Sequence, residues 1–218
     1  MIIRSGLIRN RDGVDFETFT AHWRNVHASL VVKIDGLRAY SQNHVRKRLA
    51  SNTETELHRV DGISQLYFDD VESMKVSMAS PEQDACIVDL RGFLSDVTLL
   101  IQQAADFNIF GRNTALPVKL LYLLHCHASD ANDLTTRIQA EFGTSGANWQ
   151  YRINPIIARD VVVDQSISAG EQIVDLVMEI WTENEADSAT AAGLVESSTT
   201  IGIVAGFQVD ELVILPPR

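Results

Sequence analysis

One order of elements occurs twice along the 218 residues of this chain. In the first half, residues 2–8 alternate as a half-buried strand does, "NRDG" makes a turn, and residues 16–34 carry helical periodicity behind a capping Asp15. Gly36 ends that helix, residues 38–45 read as extended, "RKRLASNTETELHR" as a polar loop and "DGISQLYFDD" as a third strand. "VESMKVSMASPEQDACIVDLRGFL" gives a short helix, a break at Pro81 and a second helix, and "VTLLIQQAADFNIF" closes with a strand. This is the β-α-β-β-α-β split motif. After "GRNTALP" the order returns more weakly: strand "VKLLYLLHCH", helix "DANDLTTRIQAEF", strands "NWQYRINPIIA" and "QIVDLVMEIWTEN", helix "EADSATAAGLVESS" and strand "IVAGFQVDELVIL".

Two local matches support a repeat. "AYSQNHV" aligns with "QYRINPI" at an offset of 111, pairing Tyr40 with Tyr151 and Asn43 with Asn154, and "QLYFDD" resembles "EIWTEN" at an offset of 114. A sheet with helices on one face leaves its other face to be covered, and two such sheets in one chain can cover each other. The expected fold is therefore α+β, two ferredoxin-like repeats packed as a single-chain pseudo-dimeric α/β barrel, with a first unit at 1–113 and a second at 114–218. A homodimer of such pseudo-dimers is the further assembly this design allows.

On a helical wheel of roughly 100° per residue, Phe16, Phe19, Trp23, Leu30 and Ile34 share one stripe, and Ala28 falls outside it. His27 lies inside the stripe, and His22 at its edge. Five residues apart, the two histidines should diverge by roughly 140°, which argues against a zinc pair on this helix. A histidine on an apolar face is either a packed core residue or a neutral imidazole in a cavity, able to serve as a general base. On the next strand Tyr40, Gln42 and His44 share one face by the period of two, and Asn43 shares the other. A row so polar suits a wet cavity or an edge, and the Tyr40 hydroxyl suits a carbonyl or phenolate oxygen.

Composition excludes several classes. The net charge of −11 argues against nucleic-acid backbones and anionic membranes. The N-terminal apolar run is too short for a signal peptide, and no segment approaches a membrane span, so a cytoplasmic location is expected. Cys86 and Cys126 sit in apolar segments and build no disulfide framework. His125 and His127 share a strand face but lack a third ligand, so no metal is expected. Phosphate-loop and serine-hydrolase motifs are absent.

"FTAHWRNVHASLV" followed by "IDGLRAYSQNHV", then "DGISQLYFDDVESM" and "SPEQDACIVDLRGFLSD", resembles the EthD family of dimeric α/β-barrel proteins over about residues 1–110. Architectural relatives of that family include antibiotic-biosynthesis monooxygenases, muconolactone isomerases and haem-dependent aldoxime dehydratases. The second half has no Trp or His where the first has Trp23 and His27, so the resemblance implies one site per chain, in the N-terminal half. The expected activity is proton-transfer chemistry without a cofactor on a hydrophobic, oxygenated small molecule: an aromatic, a lactone or a polyketide-like compound. Isomerisation, dehydration, decarboxylation and cofactor-independent oxygenation of a phenolate all belong to that class. His27 would act as base and Tyr40 as hydrogen-bond donor, with Trp23, His22, Gln42, Asn43 and His44 contacting substrate. The alternatives are a non-catalytic binding protein for a hydrophobic metabolite, and a haem enzyme with His27 as axial ligand.

Overall fold

In the first strand, β1 (Ile2–Asn10), Ile3, Ser5 and Leu7 face one way and Ile2, Arg4, Gly6 and Ile8 the other, and both sets are buried. Such a strand must be covered on two faces, and a barrel wrapped in helices does that. The computed structural model describes residues 1–49, 59–104, 116–126, 136, 140, 149–159, 163, 167, 174–198 and 201–217. Within them β2 (Ala39–Arg48), β3 (Gly62–Phe68), β4 (Leu94–Gln103), β5 (Val118–Cys126), β6 (Trp149–Ala158), β7 (Leu176–Thr182) and β8 (Ile201–Leu215) join β1 in a closed barrel. Around it run β1-β3-β2-β8-β5-β7-β6-β4, every pairing antiparallel.

The first four strands stand in the order β4-β1-β3-β2 and the last four repeat it as β8-β5-β7-β6. Each half's second strand meets the other half's last strand, β2 on β8 and β6 on β4, as a pseudo-dimer requires. Register agrees with the sequence offsets. Gln65 pairs with Ser5 and Ser41, and Glu179 pairs with Leu121 and Arg152, which sets β3 on β7 at 114 and β2 on β6 at 111.

Helix ends follow local chemistry. Asp15 accepts from the Thr18 amide ahead of α1 (Phe16–His22), and Asp70 from the Ser73 amide ahead of α3 (Val71–Met78). Ser80 caps α4 (Pro81–Phe93) with proline at its first position, and Asn184 caps α5 (Glu185–Ser197).

The first helix departs from the wheel. Between α1 and α2 (Ala28–Val31) the backbone forms a π turn, Trp23–His27, where bonds span five residues rather than four. The extra residue shifts everything after Trp23, so Ala28 and Val31 are buried while Leu30 is only partly covered. Phe16, expected in the stripe, is 41% exposed. A second departure is β2, which continues through Arg48 instead of ending at Val45, because β8 pairs with it that far and Asp210 meets Arg46 at 3.4 Å. The helix expected at "DANDLTTRIQAEF" and residue His127 fall largely or wholly outside the described residues.

The barrel interior packs Leu7, Val45, Ile63, Leu121 and Phe207 with other apolar side chains. Near them lies a buried ionic network. Lys119 Nζ sits 2.8 Å from Glu179 and 2.6 Å from Glu211, Arg152 pairs with the other Glu179 oxygen, and Arg152 donates to the Tyr67 hydroxyl at 2.5 Å. Asn43 faces this interior and donates to Gln65 at 3.1 Å.

Candidate active site

The π turn brings together two side chains that a regular helix would separate. In its wider turn residues five apart fall closer to one face, and both His22 and His27 reach Asp89 on α4. His27 Nδ1 lies 2.8 Å from one Asp89 oxygen and His22 Nε2 lies 2.9 Å from the other. An ionised carboxylate only accepts, so both ring nitrogens carry hydrogen. Neutral His27 then keeps its lone pair on Nε2. Burial pushes the Asp89 carboxyl up, but hydrogen bonds and charge from His27 and His22 outweigh it and hold the group below its ordinary value.

Tyr40, Gln42 and His44 face this helix from β2, and all three are buried. Gln42 Nε2 donates to the Trp23 carbonyl at 2.9 Å and to the Tyr40 oxygen at 2.8 Å. A carbonyl accepts only, so the amide orientation is settled, and Gln42 Oε1 must accept from His44 Nε2 at 3.1 Å. Burial, with Arg24 nearby, lowers the His44 pKa to about 4. The Trp23 ring packs on His44, centroids 4.4 Å apart. Burial raises the Tyr40 pKa, against hydrogen bonds from Gln42 and Trp23 that lower it. Tyr40 therefore stays a phenol whose oxygen accepts from Gln42 and whose own hydrogen is available to donate.

His27 and Tyr40 line one cavity of about 40 Å³ between helix and sheet, together with Arg4, Ser64, Gln83 and Cys86. At some 10–15 Å³ per water-sized group, about three such groups fit. Trp23 also lines it, and Val163 reaches it from the second half of the chain. His22 stands behind, on the far side of Asp89, and is one-third exposed. His44 and Phe16 instead line an open cleft of about 400 Å³ with Arg24, Arg46 and Asp210. Asn43 belongs to neither, because strand alternation turns it into the barrel. Of the expected substrate contacts, then, Trp23 joins His27 and Tyr40 at the cavity, Gln42 fastens Tyr40 from behind, and His22, His44 and Asn43 lie elsewhere.

The equivalent sheet positions in the second half are apolar. By register Arg4 corresponds to Leu120, Gly6 to Tyr122, Gln42 to Ile153, His44 to Pro155 and Ser64 to Met178. Leu120, Tyr122, Ile153 and Met178 pack into one apolar cluster. Among the described residues, the sheet positions that are polar and open in the first half carry an ordinary apolar cluster in the second.

Asp89 and Arg4 escape a reading of motifs, yet each leaves a trace. Asp89 sits three residues after Cys86 and four before Phe93, an acid on the buried stripe of its helix. Arg4 alternates with Ile2, Gly6 and Ile8 on a face that proves buried. Burial, followed by the Asp89 charge, raises the Cys86 thiol to about 11, so it stays protonated. His125 pairs with Asp175 at 2.7 Å, and no group of three His, Cys, Asp or Glu among the described residues is arranged to hold a metal. A haem does not fit beside His27, since organic cofactors occupy pockets of roughly 300–1,000 Å³ and this cavity has about 40 Å³. No described helix is long and apolar enough to cross a membrane.

Residues 11–96 match the EthD domain family. An EthD family protein from Bacillus halodurans shares 26% identity over 47% of this chain and 98% of its own, with a TM-score of 0.39. An anthrone oxidase-like protein aligns over 98% of this chain and 93% of its own at 7% identity, with a TM-score of 0.63. A chlorite dismutase variant from Candidatus Nitrospira defluvii covers 95% of this chain and 91% of its own at 9% identity, with a TM-score of 0.51. The two long alignments are likenesses of fold. No curated protein matches the chain.

Proposed function

Starting from an EthD domain at residues 11–96, we propose that this protein is a small-molecule enzyme catalysing proton transfer without an organic cofactor. His27 Nε2 takes a proton from an acidic C–H or O–H of the substrate while Asp89 holds the ring through Nδ1. The Tyr40 hydroxyl donates to the substrate oxygen on which negative charge develops. Return of the proton from His27 to another atom completes an isomerisation, and its delivery to a leaving hydroxyl completes a dehydration. The oxygenated end of a lactone, aromatic or polyketide-like compound enters the cavity, whose volume admits only that end. On the same reading residues 1–113 form the unit that carries the site, and 114–218 the unit that completes the barrel.

One observation carries this reading: a buried histidine, oriented by a carboxylate at 2.8 Å, lines the same cavity as a phenol held by Gln42. Its test needs no knowledge of the full reaction. Small lactones, β-keto acids and phenols are incubated with the protein in D2O, and deuterium uptake at carbon is followed by mass spectrometry. At least one class should exchange faster with the parent protein than with His27→Gln by on the order of 100-fold. Equal exchange with both proteins across the panel returns the site to a binding role.

A further inference from the structure

Arg4 is the one permanently charged side chain on the cavity wall, and it makes no hydrogen bond or ion pair with any described side chain. It is 9% exposed, and burial lowers its pKa to about 10. Burying a guanidinium without a counter-ion is unfavourable, and an architecture that required one would be expected to repeat it. The second half has Leu120 at the equivalent position, inside a packed apolar cluster. Beside it Tyr122 fills the place where Gly6 leaves the first half open. The fold is therefore indifferent to a charge here.

We infer that the His27 cavity binds a small monoanion of carboxylate type, with Arg4 as its counter-ion and the Tyr40 hydroxyl as a second donor. Charge decides the class. One guanidinium balances one negative charge, and its planar fork suits a carboxylate. A phosphate dianion would leave excess negative charge within the same small space that Asp89 borders through His27. Size agrees, because room for about three water-sized groups admits a carboxylate and one further carbon. The inference rests on the proposed site but not on turnover, and it makes the substrate a carboxylic acid or a molecule that presents one.

The test is calorimetric titration of the full chain with sodium acetate, acetamide and inorganic phosphate at neutral pH in chloride-free buffer. Acetate should bind, with acetamide and phosphate weaker by roughly tenfold or more. Arg4→Met should weaken acetate by at least the same factor while melting no lower than the parent, since it removes a buried charge that has no partner among the described residues. Acetamide or phosphate binding as tightly as acetate, no acetate binding by the parent, or undiminished acetate binding by Arg4→Met overturns the inference. Should Arg4→Met fail to fold, the acetate-to-acetamide ratio of the parent and its loss or retention in Arg4→Lys decide instead: retention with acetamide excluded supports a cationic site. His27→Gln should lose deuterium exchange. Acetate binding with no exchange in the parent sinks the catalytic proposal alone.

Discussion

Gln65 and Glu179, equivalent residues of the two halves by register, meet each other inside the barrel, Gln65 Nε2 donating to Glu179 Oε1 at 3.0 Å. Two equivalent positions in direct contact mark where the pseudo-twofold relation passes through the molecule. The halves share the position and differ in charge, and Glu179 answers Lys119 and Arg152.

Glu179→Gln tests that core. Burial would raise the Glu179 carboxyl, but Arg152 and Lys119 overcome it and lower the pKa to about 2. A glutamine leaves two buried cations facing the single charge of Glu211, and removing one partner of a buried pair costs about 3–5 kcal/mol. Urea unfolding at neutral pH should show that loss, and a loss below about 1 kcal/mol would contradict the network's charge balance. The depressed pKa also fixes a sign: this contribution is present above the ordinary carboxylate range and disappears as pH falls through about 2.

His44 gives a pH dependence in a milder range. Its pKa falls from 6.5 to about 4 on folding, so between those values the unfolded chain binds a proton that the folded protein refuses. Stability is fully present above pH 6.5 and declines as pH falls towards about 4, by up to roughly 3 kcal/mol. Denaturation midpoints at pH 7, 5.5 and 4.5 should fall more steeply for the parent than for His44→Leu. Parallel slopes would mean that His44 protonates freely in the fold.

Gly62 lies under the Trp23 ring, and a Cβ there would overlap the indole. Gly62→Ala must push Trp23 away from His44 and the cavity wall, at about 1–3 kcal/mol for overpacking. Unfolding free energy and Trp fluorescence should both change, and an alanine variant indistinguishable from the parent would refute this packing.

Much of this architecture is legible without coordinates. Alternation in residues 2–8 and the matches at offsets of 111 and 114 lead to a doubled antiparallel sheet, and the register of Ser41, Gln65, Arg152 and Glu179 bears this out. Period two also separates Tyr40, Gln42 and His44 from Asn43. The site is less legible, for identifiable reasons. A π turn has no sequence signature, so a wheel of constant pitch puts Ala28 outside the buried face and Phe16 inside it, and parts His22 from His27. Asp89 and Arg4 carry no motif, and their importance arises when α4 and β1 converge on one cavity.

Asp89→Asn isolates the orienting carboxylate. An amide can still accept from one histidine but not from both with a charge, so the fold should survive with about 1–3 kcal/mol lost. Deuterium exchange should fall, by no more than the roughly 100-fold expected when His27 itself is removed. A variant exchanging at the parental rate would remove Asp89 from the mechanism.

Asp89 holds His27 with hydrogen on Nδ1, which leaves the lone pair on Nε2. Long-range 1H–15N correlation spectra of the 15N-histidine-labelled protein read that tautomer directly. Neutral His27 in the parent protein should show a protonated Nδ1 and a bare Nε2, a preference weakened in Asp89→Asn. A neutral His27 carrying its hydrogen on Nε2 would contradict it, because no base would then face the substrate.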